Sequence, residues 1–180
     1  MLGRRRRSED PIAAVQPAAV PAHLQGLVHD ALAARDRWLR TAERFASGPL
    51  QARVRELGGQ VDAGVLAIWR AAMRVAELEQ VTASLDVEQI TADYKAAKRD
   101  PLADPALIAA LEAKHRTAHR LLNSVDDAAG RLRLLDARLD AAVLQATELL
   151  LTGGDEETTE LAAVVEELGL LQRTLAQLSA

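Results

Sequence analysis

Glu112, His115 and His119 are the residues of this chain best placed by type and spacing to do chemistry. On an α-helix, positions three and seven residues on from a first one lie along one side, so a carboxylate and two imidazoles would share a face. Carboxylate and imidazole are ligands for divalent transition metals. The Glu-x-x-His spacing is the one used by carboxylate-bridged di-iron bundles, but those need a second such element and two more inward glutamates. No second Glu-x-x-His occurs here. The zinc-protease pattern would need His-Glu-x-x-His, and Arg116, not glutamate, follows His115. Lys114, Arg116 and Arg120 add positive charge beside the three residues, which disfavours a cation. The plainer expectation is that His115 is a polar residue in a helix seam and His119 a surface residue beside it, with no metal and no cofactor.

Other catalytic arrangements are missing. There is no cysteine, so thiolate ligands, disulfides and a cysteine nucleophile are excluded. No Gly-x-Ser-x-Gly elbow occurs, and Ser8, Ser47, Ser84 and Ser124 have no His/Asp arrangement around them in sequence. Asp126 and Asp127 are adjacent, so they point in different directions on a helix and form no acid/base pair. A non-enzymatic protein is expected.

The element that must carry Glu112, His115 and His119 is a long heptad stripe. Steps of three and four from Ile108 reach Leu111, His115, Ala118, Leu122, Val125, Ala129, Leu132, Asp136, Leu139, Val143, Ala146 and Leu150. Only His115 and Asp136 break the apolar run. Such a stripe is one side of one helix, and near 3.5 residues per turn it is a coiled-coil seam that needs a partner helix. Asp136 reads as a polar register-setter, paired with Arg133 or Arg138 or lying where the seam widens. The helix starts at Asp104-Pro105, a cap followed by a first-turn proline, and reaches Thr152. Those 48 residues would span roughly 70 Å, so either the protein is elongated or the helix bends near Gly130.

The rest of the chain is helical in pattern too. Aromatic residues are only Trp38, Phe45, Trp69 and Tyr94, and no stretch alternates with period two, so strands are not expected. Residues 1 to about 20, with Arg4 to Arg7, Pro11 and Pro17, and Pro21 at their end, read as a disordered tail. A first helix is expected from about Ala22 to Ala46, with Arg35 interrupting its apolar side. Gly48-Pro49 makes a stop and restart. A second helix follows from about Leu50 to Val81. It contains Gly58-Gly59, which cost roughly 1 kcal/mol each against alanine. In an antiparallel hairpin Trp38 and Gly58 are equally distant from Gly48, so the glycine is expected either to make room for the indole or to mark a kink. A short third helix runs from Val87 to Arg99, with Asp86 as its cap and Val87, Ile90 and Tyr94 on one side. After the Gly153-Gly154 turn, a fifth helix carries Leu161, Val164, Leu168, Leu171, Leu175 and Leu178. Acids Asp155, Glu156 and Glu157 lie in its first turn. The fold class is therefore all-α, an antiparallel helical bundle of coiled-coil hairpins with about five helices. It is one domain over 21–180.

Charge and composition bound the function further. The net charge is −4, so a nucleic-acid domain is not expected. Residues 153–180 hold six acids and one arginine, a net of −5, against a basic N-terminus. No apolar run is long enough to span a membrane, and no apolar stretch follows Arg7 to make a signal peptide. A cytoplasmic protein is expected, with Arg4, Arg5, Arg6 and Arg7 able to meet anionic lipid at the inner face of the membrane. Arginine outnumbers lysine 19 to 3, a usage typical of high-GC bacterial coding. From Gly48 to Leu150 the chain resembles uncharacterised all-helical proteins of high-GC bacteria. "RLRLLDARLDAAV" and "DYKAAKRDP" carry the likeness, which implies no activity.

The leading expectation is a helical interaction or scaffold protein. Its contacts would run through Leu122, Val125, Leu132, Leu139 and Val143, with a homodimer or another helical protein as partner. Alternatives are a peripheral envelope protein using the arginine cluster, and a metal-binding bundle.

Overall fold

In the computed structural model, residues 10–45, 47–48, 50–152 and 157–178 are described. Arg4 to Arg7, Pro49 and Gly153 to Glu156 lie outside them, as do the side chains of Leu171, Leu175 and Leu178. All regular structure among the described residues is helical. Five α-helices follow in order: α1 (Ala22–Ala42), α2 (Gln51–Ala83), α3 (Val87–Arg99), α4 (Pro105–Thr152) and α5 (Glu157–Leu178). The protein is an all-α helical bundle. The contacts group it into two compact units. The first unit comprises residues 1–73 and 132–180, the second 74–131.

In the first unit, α1 ends sooner than expected. At Glu43 it gives way to a 3₁₀ turn through Phe45. Gly48 has φ +113°, a left-handed conformation that glycine takes without steric cost, and it reverses the chain into α2. The two helices close on each other at Trp38 and Gly58. Trp38 is buried, and a Cβ placed on Gly58 would stand 3.2 Å from the indole Nε1. The glycine makes room for the ring, as the spacing from Gly48 suggested. A second close approach escaped the sequence reading: a Cβ on Gly64 would lie 3.0 Å from Leu139 Cδ1, so α2 and α4 pack against each other there. Leu132, Leu139, Val143 and Leu150 of α4 are buried in this unit, with Leu161, Val164 and Leu168 of α5.

The expected disordered tail is structured from Asp10 onward. Residues 11–14 and 17–19 form 3₁₀ turns, and Ile12 and Val20 are buried. Arg35, the apparent flaw in the apolar side of α1, is the reason. Its Nη2 donates to Asp10 Oδ1 at 3.0 Å and its Nε to Asp62 Oδ1 at 2.6 Å. Burial works to lower the guanidinium's pKa, but Asp62 and Asp10 outweigh it and hold it above its ordinary value. Asp10 also caps the first 3₁₀ turn by accepting from the Ile12 amide. An apolar count along the helix cannot register a segment held by charge.

Unequal effects are expected from the two acids. Asp10 is half exposed, so Asp10→Ala should cost less than about 1 kcal/mol. Asp62→Ala leaves Arg35 largely buried without its nearer partner and should cost about 1–2 kcal/mol. Urea midpoints read both; an equal effect would show that Arg35 does not anchor through Asp62.

In the second unit, α2 from Arg74, α3, and α4 up to Arg131 surround a thin core. Val75, Ile90, Ala118, Val125 and Ala129 are buried. Helix α3 spans the expected residues, and Asp86 Oδ1 accepts from the Gln89 amide at 2.8 Å. Ile90 is its one buried residue. Helix α4 starts as the caps predicted, with Asp104 Oδ1 accepting from the Ala106 amide, and runs uninterrupted through Gly130 to Thr152.

Candidate functional site

The second unit holds the residues first singled out by type. Tyr94 of α3 faces His115 of α4 with ring centroids 5.1 Å apart, and His115 and His119 are 4.4 Å apart. The side chains of Tyr94, Glu112, His115, Arg116, His119, Arg120 and Asn123 line an open hollow of about 420 Å³. Asn123 was not singled out in the sequence, and neither was the meeting of Tyr94 with this group. Tyr94 lies on another helix, and nothing local announces which turn of α4 it meets.

The hollow is not arranged as a metal centre. Glu112 Oε1 accepts from Arg116 Nη2 at 2.9 Å, so the carboxylate is engaged by a cation. Among the described residues no three His, Cys, Asp or Glu groups stand where they could share an ion. His115 is half-buried against Tyr94 and His119 is exposed.

On the opposite flank of α4 lies an apolar channel of about 340 Å³. Leu85 and Ile90 form one wall; Ala113, Lys114, Thr117, Ala118 and Leu121 form the other. Leu107, Ala110, Lys114, Thr117 and Leu121 follow one another by threes and fours, so α4 carries a second heptad stripe beside its first. Leu107 is exposed and Leu121 half-buried. The first stripe concealed this one in the sequence, because alanine, lysine and threonine attract no notice by hydropathy.

The other expected partner-binding residues are placed as follows. Leu132, Leu139 and Val143 are buried in the first unit, within the chain's own core, and are closed to an outside partner. Val125 is buried in the second unit and Leu122 half-buried. Arg4, Arg5, Arg6 and Arg7 lie outside the described residues. No helix among the described residues is long and apolar enough to cross a membrane.

Asp136 makes no ion pair with Arg133 or Arg138 among the described residues, contrary to one expectation for it. It is buried in the first unit. Burial first, and the charge of Asp30 second, push its carboxyl up to about 6.

Comparison with known proteins returns no match among family models, curated proteins or solved structures. It adds nothing to the resemblance noted above.

Proposed function

We propose that this chain is a non-enzymatic helical interaction protein, and that the channel between α3 and α4 receives an acidic amphipathic helix from another protein. The observation that carries this is the uneven use of the heptad surface of α4. Within the first unit the seam residues Leu132, Leu139, Val143 and Leu150 are buried, while Leu134, Leu144 and Leu151 on the other sides of α4 are exposed. Within the second, Leu107 stays exposed and Leu111, Leu121 and Leu122 are half-buried. A helix packing its leucines between those of α4 would complete the burial.

Lys114 selects the partner. It sits midway between Leu107 and Leu121 on the second stripe. Two copies paired there in parallel and in register would oppose Lys114 to Lys114. An antiparallel pair with Leu107 over Leu121 does the same. Like charges in register disfavour a pairing, so the stripe suits a helix with a carboxylate at that level better than a second copy of itself.

The reading is tested with a synthetic helix of about three heptads, leucine at its seam positions and glutamate at the level of Lys114. Calorimetric titration should show saturable binding. Leu121→Asp should abolish it, and Lys114→Glu should weaken it at least fivefold while improving binding of the matching lysine peptide. Equal binding of the acidic peptide by wild type and Lys114→Glu would refute the assignment, as would a tight dimer through this stripe seen by light scattering.

A further inference from the structure

We propose that the hollow bounded by Tyr94, His115, His119 and Arg120 is a binding site for a phosphate monoester. The proposal is independent of the helix channel, since the hollow lies on the other flank of α4.

The walls are a column of three rings, Tyr94, His115 and His119, in successive contact at 5.1 and 4.4 Å. Cations surround it. Lys98 Nζ lies 5.6 Å from the centre of the Tyr94 ring and 3.4 Å from its hydroxyl oxygen. Arg116 and Arg120 line the hollow from α4. Glu112 is its one acid, and that carboxylate is engaged by Arg116. Arg120 has no carboxylate partner among the described residues. Its one long bond, 3.4 Å, goes to the Thr117 hydroxyl, which leaves most of its guanidinium donors to a ligand.

Charge decides what can enter. Lys98, Arg116 and Arg120 against Glu112 leave a net of two positive charges, which repels a metal ion and attracts an anion. A phosphate monoester carries close to two negative charges at neutral pH and three acceptor oxygens. The Arg120 fork matches two of those oxygens. The imidazole N–H groups and the Asn123 amide supply further donors on the same side of the helix. The rings leave a flat wall for whatever planar group bears the phosphate.

The test uses the full-length chain labelled with ¹⁵N, titrated with inorganic phosphate at constant ionic strength. The imidazole resonances of His115 and His119 should move together and saturate, with a dissociation constant of the order of 1 mM, as suits a partly exposed site. Arg120→Ala should weaken binding at least fivefold, and His119→Gln should also weaken it. Arg53→Ala, on α2 in the first unit, should leave it unchanged. Arg120 and His119 are exposed and Arg53 partly so, so circular dichroism of each variant should match wild type. Vesicles of phosphatidic acid against phosphatidylcholine then distinguish a lipid headgroup from a soluble ester; binding to either fits the site. Shifts that fail to saturate would overturn the assignment. So would shifts that survive Arg120→Ala, or a saturable response to Zn²⁺ with none to phosphate.

Discussion

Trp38→Ala should lower the unfolding free energy by about 3–5 kcal/mol, the usual cost of emptying a large aromatic site in a packed core. Trp38 is buried in the first unit, with its Nε1 edge turned to the Gly58 backbone. Gly58→Leu attacks the same contact from the other side. The first carbon of the new side chain would stand 3.2 Å from the indole, and the remainder has to displace the ring or be displaced by it. That overpacking should cost about 1–3 kcal/mol, even after leucine recovers close to 1 kcal/mol of helix propensity over glycine. Because both changes act on one contact, the double variant should be less damaged than the sum of the two, by about 1 kcal/mol or more. Gly59 is the internal control. A Cβ there meets nothing within 4 Å, so Gly59→Ala should stabilise by roughly 0.5–1 kcal/mol. Urea unfolding of the four variants reads the whole set. Additive losses, or a Gly58→Leu protein as stable as wild type, would refute the account of why this helix tolerates two glycines.

Asp136→Asn should stabilise the protein at pH 8 and lose that advantage by pH 4. The Asp136 carboxyl titrates near 6 in the folded chain because burial, and then Asp30, oppose its charge. In the unfolded chain it titrates near 4. The folded state therefore binds more protons than the unfolded state between these values, and stability falls as pH rises through that window. Below about pH 4 the group is neutral in both states and the penalty is absent. Above about pH 6 it is fully present, and two pKa units correspond to roughly 2–3 kcal/mol. Asparagine is never charged, so the difference between variant and wild type should grow from near zero at pH 4 to most of that amount at pH 8. Taking the difference cancels the titration of the other carboxylates. Asp30→Asn should recover a smaller part, as the lesser of the two causes. A pH-independent difference, or a variant less stable than wild type at pH 8, would show that Asp136 is satisfied in the core.

Much of this architecture is legible along the chain. Helix α3 and helix α4 span the expected residues, because Asp86 and Asp104 are short polar caps and prolines follow at Pro101 and Pro105. The Trp38–Gly58 contact was also within reach, since a tight reversal at Gly48 makes equal counts along both arms meaningful. Arg35 was legible only as an interruption. Its two carboxylates lie 25 and 27 residues away, and no local rule links positions so far apart.

For the sites, the sequence placed Glu112, His115 and His119 on one side of a helix through the 3.6-residue period alone. It could not say what they face. That depended on α3 laying Tyr94 against His115, on Arg116 engaging Glu112, and on Arg120 having no carboxylate partner among the described residues. Those facts turn a metal-like spacing into a cationic hollow. The same division holds for the heptad seam. Its existence follows from residue spacing, which is local. Which half is closed by the chain's own helices and which half stays available depends on the packing of distant segments. Periodicity is a property of one helix, whereas burial belongs to the assembly of several, so the fold class was written in the sequence and the surroundings of each side chain were decided only in three dimensions.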